Sequence, residues 1–140
     1  DGVAVDGTIR ERYDDQTLEQ FIGAVKKEFG AFVIADISTV EEGVAAWRYG
    51  ADMVGTTLSG YTPYSKNPLP FGTLPSPDPD YEIIRELRAA GVPHIVAEGR
   101  ITNGEKMRKA LEAGAHSVVI GTSITEPRKI VKTILLDAGL

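Results

Sequence analysis

Short apolar runs closed by polar residues recur five times along the chain, and a stretch with helical spacing follows each. Gly2–Asp6, Ala31–Asp36, Asp52–Thr57, His94–Glu98 and Ser117–Thr122 read as strands. Apolar runs of about four to eight residues bounded by turn residues mark strands buried on both faces, as in a parallel sheet. In the first intervening stretch Leu18, Phe21, Ile22, Val25 and Phe29 share one face, while Glu19, Lys26, Lys27 and Glu28 fall outside it. Helix starts are marked by Ser38-x-x-Glu41 and Thr102-x-x-Glu105, which have capping-box spacing, and by Asp78-Pro79, an N-cap followed by proline. Glycines turn the chain out of two helices at Tyr49-Gly50-Ala51 and Ala113-Gly114-Ala115, and Gly91-Val92-Pro93 does so with a proline stop. Ala46…Gly50-Ala51…Gly55-Thr56 and Ala110…Gly114-Ala115…Gly121-Thr122 look like an internal repeat of one βα unit.

Strands alternating with helices imply a parallel α/β sheet. It can close as an open doubly wound sheet or as part of a (β/α)₈ TIM barrel. No G-x-G-x-x-G follows the first strand, which weakens the dinucleotide-binding option. Nearly every strand instead ends in polar residues (Asp6, Asp36, Thr56-Thr57, Glu98-Gly99-Arg100, Gly121-Thr122), the ring that a barrel mouth requires. A full barrel takes roughly 250 residues. The expectation is therefore a single domain, residues 1–140, forming an incomplete barrel that lacks three units. Asp1 leads almost at once into a strand, so the chain reads as a piece of a longer, processed or split protein.

One connection breaks the rhythm. Residues 58–79 form a long proline-rich loop, with six of the chain's eight prolines between Pro63 and Pro79. Such loops are functional or disordered. Its start, Ser59-Gly60-Tyr61-Thr62-Pro63-Tyr64-Ser65-Lys66, is polar and aromatic enough to cover a ligand, whereas Asn67 to Pro77 has the composition of a mobile flap.

Charge and composition narrow the partners. Lys plus Arg is 15 against 20 for Asp plus Glu, a net charge of −5 with no basic block, which argues against nucleic acid. There is no cysteine, so disulfides and thiolate metal sites are excluded and a reducing cytoplasm is the expected setting. No apolar run approaches the roughly 18–20 residues of a membrane span. His94 and His116 precede their strands, on the side away from the mouth, and no third ligand is spaced to join them. Both read as structural, and no metal is expected. Trp47 and Tyr49 lie among apolar neighbours on a helix and read as core.

Chemistry is expected at the carboxyl ends of the strands. Glu98 and Asp36 are acids closing apolar strands, where partial desolvation raises a carboxyl toward the range of proton transfer. Each is equally a residue type that caps a helix or pairs with a base. Gly121-Thr122-Ser123 precedes a helix beginning near Thr125-Glu126-Pro127, and backbone N–H groups at such a turn can bind phosphate. Gly99-Arg100 supplies the neighbouring wall, with the guanidinium as a bidentate clamp. An ordinary βα turn has the same residues. Thr56, Thr57, Ser59 and Gly60 can meet a polyhydroxylated ligand, although threonine is common in strands. Asp6, Thr8, Arg10 and Arg12 are as readily a salt-bridged surface loop as a site.

Ala35-Asp36-Ile37-Ser38-Thr39, then Gly55-Thr56-Thr57-Leu58-Ser59-Gly60-Tyr61-Thr62-Pro63-Tyr64-Ser65-Lys66, then Ala97-Glu98-Gly99-Arg100-Ile101 resemble the N-acetylmannosamine-6-phosphate 2-epimerase family. The likeness runs over the chain except for Asn67–Pro77, which looks like an insertion. It implies strands four to eight of a (β/α)₈ barrel and cofactor-independent epimerisation at C2 of an amino-sugar phosphate in sialic acid catabolism. It also implies that Glu98 forms an acid/base pair with a lysine on the family's third strand, which lies outside these residues; neither Lys66 nor Lys26 or Lys27 replaces it. Asp36 matches the residue that holds the sugar, and Arg100, Gly121 and Thr122 match the phosphate region, with Gly99 beside them. The family's arginine after Ile-Thr is replaced by Glu126, with Arg128 two residues on. A carboxylate beside a phosphate is repulsive, so either Arg128 reaches in or Glu126 points away. A homodimer, or association with the missing N-terminal part, is the expected assembly. The competing readings are another phosphosugar-binding barrel, an isomerase or aldolase, and a non-catalytic half-barrel that pairs with a partner chain.

Overall fold

The computed structural model describes residues 1–13, 15–70 and 78–140. Five strands, β1 (Gly2–Asp6), β2 (Phe32–Asp36), β3 (Met53–Gly55), β4 (Ile95–Glu98) and β5 (Ser117–Val119), pair in parallel in the order of the chain. Helices α1 (Leu18–Phe29), α2 (Val40–Arg48), α3 (Tyr81–Ala89) and α4 (Gly104–Glu112) connect them, and α5 (Thr122–Thr125) and α6 (Pro127–Asp137) follow β5. A doubly wound sheet reverses its strand order at a switch point. This sheet never does, so successive right-handed crossovers stack their helices on one face, as in a barrel wall. The open-sheet option falls. No described helix is long and apolar enough to cross a membrane.

Register explains the rim. Asp6 pairs with Asp36, and Asp36 with Gly55, which itself pairs with Val96. With the two-residue side-chain period, Asp36 and Gly55 share a level, and Thr57 and Glu98 stand one layer above. Behind the sheet Ile22, Val33, Ile37, Val54, Ile84, Leu87 and Ile95 form a core with no more than 1% exposure. The two turns suspected of repeating do share a geometry. Gly50 and Gly114 take φ of +97° and +111°, and Ala51 and Ala115 each donate N–H to the buried alanine five residues earlier, at 3.0 and 3.1 Å.

Local details move from the expected places. The α2 cap is Thr39 with Glu42, one residue beyond Ser38 and Glu41. The α3 cap is Asp80, which accepts from Ile83 N–H, because the Asp78 carboxylate is drawn to Lys106 at 3.1 Å. The α4 cap is Asn103 rather than Thr102, asparagine being the stronger cap, and Glu105 pairs along the helix with Lys109. Thr122, expected to end a strand, opens α5, since pairing stops at Val119. Phe29 lies on the apolar face but on the last residue of α1, and is 75% exposed. Trp47 packs against the core and meets His94 edge-on at 5.9 Å, but Tyr49, past the last turn of α2 as its C-cap, is an exposed residue rather than core. Helix α6 buries nothing; Val131, Ile134 and Leu136 stay at least 55% exposed.

Glu42 is a buried acid with structural work. Its Oε2 accepts from Ser38 N–H, Ser38 Oγ and Thr39 N–H at 2.8–2.9 Å, and its Oε1 from Ile9 N–H at 3.0 Å. One carboxylate thereby ties the segment after β1 to the start of α2.

Candidate active site

The ends of β2, β3 and β4 bring Asp36, Thr57 and Glu98 together. Asp36 leans across β3, and the Thr57 hydroxyl donates to its Oδ1 at 2.7 Å. Gly55 permits this: a Cβ there would stand 2.6 Å from Asp36 Oδ1 and 3.2 Å from Thr57 Oγ1. Thr57 and Glu98 also line one cavity together, on neighbouring strand ends. Burial lifts the Glu98 pKa above the usual carboxylate value and the Asp36 charge lifts it further, against the Thr57 hydroxyl. Asp36 is raised by burial and by the Asp6 charge, again opposed by Thr57. Burial would lift Asp6 too, but Thr8 hydrogen bonds and the Arg10 guanidinium, 3.0 Å away, outweigh it and hold Asp6 low. The first loop is therefore the salt-bridged alternative: Thr8 and Arg10 bind the Asp6 carboxylate, and Arg12 binds its carbonyl.

Glu98 opens onto a cavity of about 260 Å³. Thr57 and Gly99 line it beside Glu98, Gly121, Thr122 and Ser123 line the far side, and Lys129 supplies a cation. Thr122 and Ser123 are the first residues of α5, positions whose N–H groups have no acceptor within the helix. Arg128 is not among the lining residues, and neither is Glu126, which precedes α6 as its N-cap. Helix phase turns position 129 rather than 128 toward the rim. Lys129 is the site residue that sequence reasoning passed over; the Arg128-Lys129 pair offered two cations, and only the rotation of α6 chooses between them.

Two other expected contacts are engaged elsewhere. The Thr56 hydroxyl donates to the Glu98 carbonyl at 3.0 Å and accepts from Glu98 N–H at 3.1 Å. It fastens the end of β4 to β3 and is not among the residues lining the cavity. Arg100 borders the cavity, but its guanidinium donates to the Ser59 carbonyl at 2.7 Å and the Asp78 carbonyl at 3.0 Å, and lies over the Tyr61 ring at 5.6 Å. Gly99 and Arg100, at φ of +105° and +61°, turn the chain to aim it there. The guanidinium thus clasps the base of the long loop rather than standing free for a phosphate. Ser59 Oγ to Asp80 at 2.7 Å reinforces the same base. The flap reading of Asn67–Pro77 falls mainly on residues 71–77, outside the described residues.

His94 and His116 pack 5.1 Å apart, and His94 Nδ1 lies 3.2 Å from the Asp52 carbonyl at the other end of the sheet. Among the described residues no group of His, Asp and Glu is placed to hold a metal.

A model of the family described as "Putative N-acetylmannosamine-6-phosphate epimerase" matches residues 1–137. The chain belongs to this family. A relative from Cutibacterium acnes, named "Putative N-acetylmannosamine-6-phosphate 2-epimerase", is 44% identical over 133 residues, covering 93% of this chain and 54% of its own length. One of the same name from Caldanaerobacter subterraneus is 44% identical, over 94% of this chain and 53% of its own. The solved N-acetylmannosamine-6-phosphate 2-epimerase from Clostridium perfringens superposes with a TM-score of 0.82 at 40% identity, covering 96% of this chain and 55% of that one. FabK from Thermotoga maritima, at 20% identity and a TM-score of 0.54 over 75% of this chain and 32% of its own, shares the fold alone. The fold is α/β, and its neighbours are TIM-barrel proteins. The chain spans about half the length of the curated relatives it matches. Family membership does not favour the reading as another isomerase or aldolase barrel.

Proposed function

We propose that this chain carries the acid and the phosphate-side rim of an isomerase that converts N-acetyl-D-mannosamine 6-phosphate to N-acetyl-D-glucosamine 6-phosphate. The observation that carries the reading is Glu98: a half-buried carboxyl of raised pKa, on a cavity with Lys129 and the Gly121–Ser123 turn opposite. The chemistry makes a matching demand. Opening the sugar to its aldehyde puts C2–H beside a carbonyl; a base removes that proton and an acid returns one to the opposite face. Glu98 is one of the two proton-handling groups. The other is the lysine that the resemblance assigns to a strand outside these residues. Asp36, through Thr57, holds the sugar side, and the N–H groups of Thr122 and Ser123 with Lys129 receive the phosphate beside Gly99. Arg128 stands one residue from that seat, and Arg100 serves it indirectly by fixing the loop that faces it. A cytoplasmic enzyme of amino-sugar catabolism, assembled with the remaining strands or as a homodimer, fits a cysteine-free chain and a half-length match.

The test is isotope exchange. The full-length protein given N-acetylmannosamine 6-phosphate in D2O is expected to place deuterium at C2 of both epimers, whereas these 140 residues alone are expected to place none. Turnover without label at C2 would point to a different phosphosugar reaction. Labelling by the 140 residues alone would sink the two-group mechanism.

A further inference from the structure

Resting on that reading, the row Asp36–Thr57–Glu98 carries a more specific claim. A hydroxyl has one proton to donate and lone pairs to accept with. The Thr57 hydroxyl bonds Asp36, and the β3–β4 register sets it beside Glu98 on the cavity, so it stands between two carboxyls and cannot donate to both. Its proton lies on Asp36 Oδ1 at 2.7 Å, which leaves it an acceptor toward a protonated Glu98. If Glu98 is ionised, the hydroxyl can turn and donate to it. A group that must both take and return a proton needs a partner that suits each state, and neither an N–H nor a carbonyl does so.

We propose that Thr57 is a positioning residue whose hydroxyl serves Glu98 in both protonation states, accepting from the acid and donating to the carboxylate, with Asp36 taking the hydroxyl proton in the first state. No proton leaves Thr57; the O–H bond rotates. Gly55 is part of the device, since any side chain there would push Asp36 off the hydroxyl. The surroundings fit. Asp36 from β2 faces Glu98, Asp6 from β1 stands behind Asp36, and Arg100 and Lys129 line the same cavity, together with Tyr61 from the loop. The Arg100 guanidinium is engaged by carbonyls, so the hydroxyl is the partner placed to follow the proton.

The experiment compares Thr57→Val and Thr57→Ser in the full-length protein by kinetics and by ¹³C titration of the carboxyl carbons. Thr57→Val is expected to lower kcat by about 10- to 100-fold, the worth of a hydrogen bond to a charged group, with KM changed by less than about threefold. Its Glu98 titration and the acidic limb of its pH profile are expected at higher pH, and Thr57→Ser is expected to bring both back. A raised KM with unchanged kcat and titration would make Thr57 a simple sugar contact and overturn the proposal. So would a serine variant that titrates like the valine one. If Thr57→Val does not fold, Gly55→Ala is expected to move the Asp36 and Glu98 titrations, and unmoved titrations would again overturn it. The titrations need no substrate. A protein that titrates as expected yet never epimerises this sugar would sink the functional reading and leave the hydroxyl's role standing.

Discussion

Replacing Glu98 by glutamine is expected to lower kcat by about 10²- to 10⁴-fold, the range that a positioned general acid or base supplies. The amide keeps the shape of the side chain and its place on the cavity, so KM should move little. Steady-state kinetics on the full-length protein decide it; a loss of less than about fivefold would remove Glu98 from the proton transfer. The same substitution has an opposite effect on stability. Burial and Asp36 raise the folded-state pKa of Glu98, so the folded chain holds that proton more tightly than the unfolded one. Stability drawn from this group is full below the unfolded carboxyl value and is lost as pH rises through the folded value. At neutral pH the ionised group therefore opposes folding. Glu98→Gln should melt above the parent protein at pH 7.5, and the advantage should fade as pH falls through the carboxylate range. An inactive variant that melts no higher at pH 7.5 would contradict this account of the raised pKa.

Glu42→Ala is expected to cost about 3 kcal/mol or more, because buried donors left without an acceptor cost about 1–3 kcal/mol each. Four donors lose their partner at once: the Ser38 N–H and hydroxyl, which are buried, and the N–H groups of Ile9 and Thr39, which are partly so. Glu42→Gln should cost less but not nothing, since one end of the amide presents N–H to a donor. Urea midpoints of the full-length proteins measure both. A change below about 1 kcal/mol for the alanine variant would show that water satisfies these groups. Activity should fall only as far as the folded fraction does, which separates this acid from Glu98.

Much of the architecture is legible in the order of residues. Apolar runs ending in Asp36, Glu98 and Gly121 report strands that deliver polar ends to one rim, and Gly50 and Gly114 report the turns that feed them. What escapes is decided at longer range. Ser38 beside Thr39, and Thr102 beside Asn103, offer neighbouring caps, and the point where the chain leaves the sheet selects one. A guanidinium following Glu98-Gly99 looks free for an anion until carbonyls 41 and 22 residues away claim it. Thr56 and Thr57 are chemically alike. Strand alternation sends one hydroxyl to the backbone of Glu98 and the other to the Asp36 carboxylate. Arg128 and Lys129 differ in the same way by one step of helix rotation.

Because the Ser59 and Asp78 carbonyls meet on one guanidinium, the two ends of the long connection are held at nearly the same spot. Doubling the length of such a bight adds only about 0.6 kcal/mol of closure entropy. The closure therefore rests on Arg100, which sits two residues after Glu98 and holds both ends. Arg100→Met, which releases both ends at once, is expected to lower turnover of the full-length protein by more than about twofold, read by steady-state kinetics.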